Sequence, residues 1–273
     1  MGLRNGKKWG LRKKWERNGV RRTFFLRDLG VIWYYFGVAR QSRLVEPGLA
    51  FHITARGNYR QTVFYTDGDR AEYLDLLAKH AGLEALEVLG WCLMTNHIHL
   101  LAIPRKPASL ARTLMRTQAG YAQAVNRRHG SRCGHLWQSR FYSCPLAGDA
   151  VWTVLRYIEL NPVRAHLATS AEHSPWSSAA IHCGSRSAPP LLSLAEWESQ
   201  WTPERWRGVL AYGADERELG AIRQATQHGL PFGSQEFISA LEQRCGRPLA
   251  VRSVGRPRLA PATFPTSSAG SIA

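Results

Sequence analysis

The chain has 273 residues, with 36 Lys and Arg against 20 Asp and Glu, a formal net charge of +16 at pH 7. That excess favours a polyanionic partner, nucleic acid before an anionic membrane, over an enzyme whose basic charge is incidental. Cys92, Cys133, Cys144, Cys183 and Cys245 are odd in number and contain no C-x-x-C pair, which argues against a disulfide framework or a cysteine-built zinc site and for a reducing cytoplasm.

Residues 1–37 hold ten Lys or Arg against two Asp or Glu, half of the net charge, and residues 23–38 are aromatic-rich but interrupted by Arg27 and Asp28. A basic start before an apolar patch superficially resembles a signal peptide, but the patch is interrupted and no small-residue cleavage site follows cleanly. The segment reads as a basic extension, poorly ordered or not native, with organised sequence starting at Val38; a nucleic-acid-binding arm is the alternative. Residues 51–57 alternate as a strand, and residues 69–81 carry Tyr73, Leu74, Leu77 and Ala78 at helical spacing. Residues 87–94 and 97–103 form a strand pair about a Thr95-Asn96 turn. Ser109 caps a helix through Leu110, Leu114, Ala122 and Val125, with Gly130 beyond its end. Residues 136–146 are a less regular strand. Asp149 then caps a helix through Trp152, Leu155 and Ile158 that Pro162 stops. This order predicts an α+β class: a ferredoxin-like (split βαβ) antiparallel sheet with helices on one face and the histidine strand central.

That domain is expected over residues 38–180. A linker (181–193) and a small helical C-terminal extension (194–246) follow. The basic tail (247–273) contains Gly246-Arg247-Pro248 and Gly255-Arg256-Pro257-Arg258 at and beyond its start. Arg256 and Arg258 could enter a narrow minor groove, or the tail is simply disordered. No run approaches the ~18–20 apolar residues of a membrane span.

On a strand, His97 and His99 point to one face, about 6–7 Å apart, while Ile98 points into a core. Two such imidazoles can converge on one divalent metal, although an H-x-H pair alone is more often an ordinary core or surface pair. Tyr157 and Asn161, four apart on a helix, share a face and add a phenol and an amide oxygen. Tyrosine beside a metal site suits phosphodiester chemistry, because a phosphotyrosine conserves the energy of the broken bond without ATP. Its bland alternative is an aromatic anchor for the helix. Arg56, Arg140 and Arg164 lie beside these segments and either clamp phosphates or face solvent. Arg116, Arg127 and Arg128 form a solubilising helical face. His52 and His135 link strands or assist proton transfer, and His80, His129, His166, His173, His182 and His228 are expected at the surface.

The run Asn96-His97-Ile98-His99-Leu100-Leu101 resembles the H-U-H motif of single-tyrosine HUH transposases. Residues 156–165, from Arg156 and Tyr157 through Asn161-Pro162-Val163-Arg164, resemble the nucleophile helix of the REP-associated tyrosine transposases (RAYTs). Residues 51–58, residues 134–141 and Pro175-Trp176-Ser177-Ser178 match in the family's order, so the resemblance covers about residues 40–180, and residues 235–257 are similar to the tail of longer members. It implies Tyr157 as nucleophile and His97, His99 and Asn161 as ligands of Mg²⁺ or Mn²⁺, with no nucleotide cofactor. The implied partner is single-stranded DNA with hairpins. Cleavage would leave a 5′-phosphotyrosine and a free 3′-hydroxyl, in a cytoplasmic, nucleoid-associated monomer or homodimer with no membrane partner. The competing readings are a catalytically silent hairpin-binding protein or repressor, a replication initiator or relaxase, and an RNA-binding module, which would need aromatics stacked on the sheet.

Overall fold

A computed structural model of the chain describes residues 44–129, 135–213 and 215–249, together with the backbone of four short strands before them. The chain divides into two units, Met1–Arg43 and Leu44–Ala273. In the first, β1 (Lys14–Arg17) pairs antiparallel with β2 (Val20–Thr23), and β3 (Leu26–Arg27) with β4 (Gly30–Val31). The rest of the basic extension lies outside the described residues, as do the tail from residue 250 on, with Arg256 and Arg258, and the helix-ending Gly130.

In the second unit, β5 (Phe51–Arg56), β6 (Leu86–Met94), β7 (His97–Pro104) and β8 (Tyr142–Pro145) form an antiparallel sheet in the order β6-β7-β5-β8. This is the expected split βαβ arrangement, and β7 is central. The Thr95-Asn96 turn joins β6 to β7, so Met94 pairs with His97 and Cys92 with His99. Ile98, Leu100 and Ala102 then enter one core while Leu101 and Ile103 enter a second, the period-2 division of a strand buried on both faces.

The two crossover helices, α1 (Asp67–Glu84) and α2 (Ser109–Arg128), cover one face. Their Tyr73, Leu77, Leu110, Leu114 and Tyr121 pack on Phe51, Ile53, Trp91 and Leu93. A capping box starts α1: Thr66 Oγ1 accepts from Asp69 N at 3.2 Å while Asp69 Oδ2 accepts from Thr66 N at 2.8 Å. Ser109 is already the first residue of α2, and its hydroxyl accepts from Lys106 N instead of standing one position earlier as the cap. Two of the arginines named on α2 are tied down as well. Arg116 pairs with Glu84 at 2.6 Å, and Arg128 with Asp69 and Glu72 at 2.7 and 2.6 Å.

The opposite face is covered too. Here lie α3 (Ala150–Glu159) and, after the short α4 (Asn161–Arg164), α5 (Ala179–His182) and α6 (Ala195–Glu198), the helices α7 (Pro203–Tyr212) and α8 (Glu216–His228). A last helix, α9 (Gln235–Cys245), is capped by Ser234. Val154, Leu155 and Ile158 of α3 share a core with Trp197, Trp206, Leu219 and Ile222. Pro162 does not simply stop α3; it sits in the first turn of α4, where its missing N–H is no loss. Gly90, at a bulge in β6, makes this packing possible: a Cβ there would lie 2.4 Å from Leu155 Cδ1 and 3.0 Å from Ser178 Oγ. The edge of β6 is closed by residues 176–178, since Leu93 N donates to Trp176 O and Ser178 N to Trp91 O.

Candidate active site

In β7 the pleat carries His97 and His99 to the face that α3 covers. Thr54 of β5 pairs with His99, which puts His52, two residues along, on the same face and diagonal to it. The His52 and His99 rings stack with centroids 5.2 Å apart, and the His97 and His99 centroids are 5.0 Å apart. Tyr157 stands edge-on to both His99 and His52, at 5.7 and 5.6 Å. Sequence spacing alone separates the phenol from the imidazoles by sixty residues; the fold brings them into ring contact. Tyr157 and His99 are each 6% exposed, and His97 is half-buried.

The arginine expected beside the tyrosine is there. The Arg164 guanidinium lies 4.5 Å from the centre of the Tyr157 ring, and its Nη2 donates to Tyr157 O at 2.8 Å. Asn161 folds back on the end of α3, its Nδ2 donating to Tyr157 O and Ile158 O at 3.1 Å each, so its Oδ1 is the atom left to accept. Arg56 is exposed at the end of β5, opposite His97 in register, and Gln138 N donates to its carbonyl, which brings the segment of exposed Arg140 alongside.

Burial sets the charge of the imidazoles. It lowers His52 to about 3 and, with help from Arg56, His97 to about 4. His99 is held well below its usual value by burial and then by His97, His52 and the two arginines. Neutral imidazoles are what metal coordination requires. His97 Nδ1 lies 2.6 Å from Asn96 Oδ1 and His99 Nδ1 2.9 Å from His52 Nε2, leaving both Nε2 atoms without a partner among the described residues. Two imidazole nitrogens and an amide oxygen fit Mn²⁺ or Mg²⁺ that keeps several waters. Among the described residues no three His, Cys, Asp or Glu side chains are grouped to hold a metal. His52 is no third ligand, because both its ring nitrogens are bonded within the protein.

Two features were not legible in the sequence. His52 reaches across to Thr226 Oγ1 on α8, at 2.8 Å. Two residues after Tyr157, Glu159 is fully buried and receives Ser178 Oγ and His182 Nδ1 at 2.6 Å and Trp206 Nε1 at 2.8 Å. His182, expected at the surface, is therefore completely enclosed; its partners come from separate elements that no local pattern connects. The other surface histidines named above are exposed, apart from half-buried His80. His135 is exposed and joins no described strand, whereas His52 does link strands. No described helix is long and apolar enough to cross a membrane.

Residues 46–161 match the family model described as "Transposase IS200 like". Among solved structures, one similar to this chain is a REP-associated tyrosine transposase bound to a REP hairpin, at 14% identity and a TM-score of 0.44, covering 57% of this chain and 91% of that one. Another, a Deinococcus radiodurans R1 protein provisionally named a transposase, is 20% identical with a TM-score of 0.33, covering 44% of this chain and 96% of that one. No curated protein matches.

Proposed function

From the match of residues 46–161 to the IS200-like transposase model, we propose that this chain is a metal-dependent single-stranded DNA endonuclease and strand transferase of the REP-associated kind, acting on hairpin repeats through a 5′-phosphotyrosine on Tyr157. One observation carries the reading: a phenol, two neutral imidazoles and a guanidinium converge where a sheet meets a helix end. Tyr157 Oη attacks the scissile phosphorus and gives up its proton to solvent, with the Arg164 guanidinium beside its ring. The P–O3′ bond breaks, the departing oxygen takes a proton to become a 3′-hydroxyl, and the 5′ end stays on the tyrosine. Attack by another 3′-hydroxyl reverses the steps and joins strands. His97, His99 and Asn161 Oδ1 would hold Mg²⁺ or Mn²⁺, which when bound neutralises charge developing on the phosphate. Arg56, Arg140 and Arg164 neutralise DNA phosphates, as do Arg256 and Arg258 in the tail, and the net charge of +16 suits that polyanion. Such a protein works in the cytoplasm, at the nucleoid, as a monomer or homodimer.

The low exposure of Tyr157 favours a second reading, hairpin binding without chemistry. A labelled hairpin with single-stranded flanks, incubated with the full chain and Mn²⁺, separates the two. The strand-transferase reading expects a covalent protein–DNA adduct that Tyr157→Phe reduces to background while hairpin affinity stays within about twofold, a phenol hydroxyl contributing little to binding. An adduct that survives in Tyr157→Phe overturns the nucleophile assignment.

A further inference from the structure

Two chains of hydrogen bonds end on the imidazoles of His97 and His99, and each begins at a backbone carbonyl. A carbonyl oxygen can only accept, so the direction of every bond after it follows. On one side, Thr226 Oγ1 donates its single proton to Ile222 O at 2.8 Å, the usual back-bond of a helical threonine. The hydroxyl must then accept from His52, whose Nδ1 carries the proton. The neutral His52 ring presents a bare Nε2, so His99 Nδ1–H is the donor across their 2.9 Å contact. On the other side, Arg60 O accepts from Asn96 Nδ2 at 3.1 Å, which turns Asn96 Oδ1 towards His97 and makes His97 Nδ1 the donor at 2.6 Å. Arg60 is placed for this by a loop in which Tyr59 and Arg60 both adopt positive φ, 49° and 60°. That is a strained backbone, held by Gly57 N donating to Asn96 O and Asn58 N to Leu136 O.

We propose that Thr226, through His52, and the Arg60 carbonyl, through Asn96, are positioning groups that lock His99 and His97 as Nδ1–H tautomers, so that both present Nε2 lone pairs to a divalent cation. The inference rests on the metal-site reading above and adds a role for α8: the C-terminal extension sets the proton position on a ligand of the catalytic domain. Partners beyond the coordinating atoms commonly change metal affinity by about 10–100-fold.

Long-range ¹H–¹⁵N NMR of the full, metal-free chain with labelled histidine reads the tautomers directly. His52, His97 and His99 are all expected with protonated Nδ1 and bare Nε2. Thr226→Val, close in shape but unable to accept, should mix the His99 tautomers and weaken Mn²⁺ binding about 10–100-fold, read from the EPR signal of the free ion. Thr226→Ser keeps the hydroxyl and should restore both readouts, which a packing role for Thr226 would not demand. A wild-type spectrum with His99 protonated at Nε2 overturns the proposal without any variant, as does a folded Thr226→Val whose tautomers and Mn²⁺ affinity match wild type. The adduct assay is read separately: tautomers as stated, with no covalent product, uphold the relay and overturn the strand-transfer reading.

Discussion

The two faces of the sheet solve the burial problem differently. Under α1 and α2 the contacts are chiefly apolar and aromatic, with Tyr73, Tyr121 and Phe64 in edge-on or tilted pairs, and the buried carboxylates of Asp69 and Glu84 are paired with the more exposed Arg128 and Arg116. Under α3, α7 and α8, polar groups go into the interior: the histidine and tyrosine group, and two residues further along α3 the Glu159 group. Apolar packing tolerates small adjustments because dispersion has no direction. A buried polar group has one arrangement of partners, and any other leaves it unsatisfied. The face that carries the candidate chemistry is thus the one whose geometry is specified by direction as well as by volume.

The sharpest way to break this contrast is at Glu159. Its carboxyl group gathers Ser178, His182 and Trp206, which ties the end of the tyrosine helix to the segment closing the β6 edge and to α7. Glu159→Leu leaves His182 and Trp206 buried without that acceptor and Ser178 Oγ with only its 3.3 Å contact to Trp91 O, and a loss of about 3–5 kcal/mol in urea unfolding is expected. A loss under about 1 kcal/mol would mean that these donors find other partners and that the face is not specified by direction.

The apolar face offers the matching test. Leu77 of α1 is fully buried, and Leu77→Ala should cost about 2–5 kcal/mol through lost contacts and the cavity left behind. Measured well below its unfolding midpoint, that variant should bind Mn²⁺ within about twofold of wild type, because Leu77 packs in the other core, away from the histidine rings. A larger change in affinity would show the two faces to be coupled through the strands.

The same contrast explains what could be read in advance. The sheet, its order and both crossover helices follow from period-2 and period-3.6 apolar patterns, and that alternation put His97 and His99 on one face correctly. Tyr157 was placed by helical spacing, but Asn161, expected on the same helix, opens the next one: α3 ends at Glu159 and α4 begins at Asn161 with Pro162 in its first turn. The bond between His52 and Thr226 spans 174 positions, and that between Glu159 and Trp206 spans 47. Nothing periodic marks such pairs. A glutamate in an amphipathic helix reads as solvent-facing, and a threonine in a C-terminal helix reads as nothing in particular. Polar partnerships depend on which elements meet, and only the assembled fold supplies that.

The smallest expected effect is a pH dependence that falls mainly on one face. Burial lowers His52 to about 3, His97 to about 4 and His99 well below its usual value, while in the unfolded chain all three titrate near 6.5. Above 6.5 neither state holds these protons and they add no slope. As pH falls below 6.5 the unfolded chain binds protons that the folded one refuses, so stability drops down to the folded-state values, by at most about 1.4 kcal/mol per pH unit for each histidine. On the other face, burial raises Asp69, but the amides of Thr66 and Tyr65 and the Arg128 guanidinium outweigh it, and its carboxyl stays below 3.8. Its stabilisation is present above 3.8 and is lost only at lower pH. Among the described residues of that face only half-buried His80 of α1, lowered chiefly by burial, adds to the same loss between about pH 6.5 and 4.5, against three histidines on the other. Urea midpoints of the metal-free chain should be level from about pH 7 to 8 and fall below 6.5, and His52→Gln should reduce the slope. A midpoint that stays level down to about pH 5 would mean that the imidazoles take up protons in the folded chain. The interior placement that distinguishes this face from its neighbour would then not hold in solution.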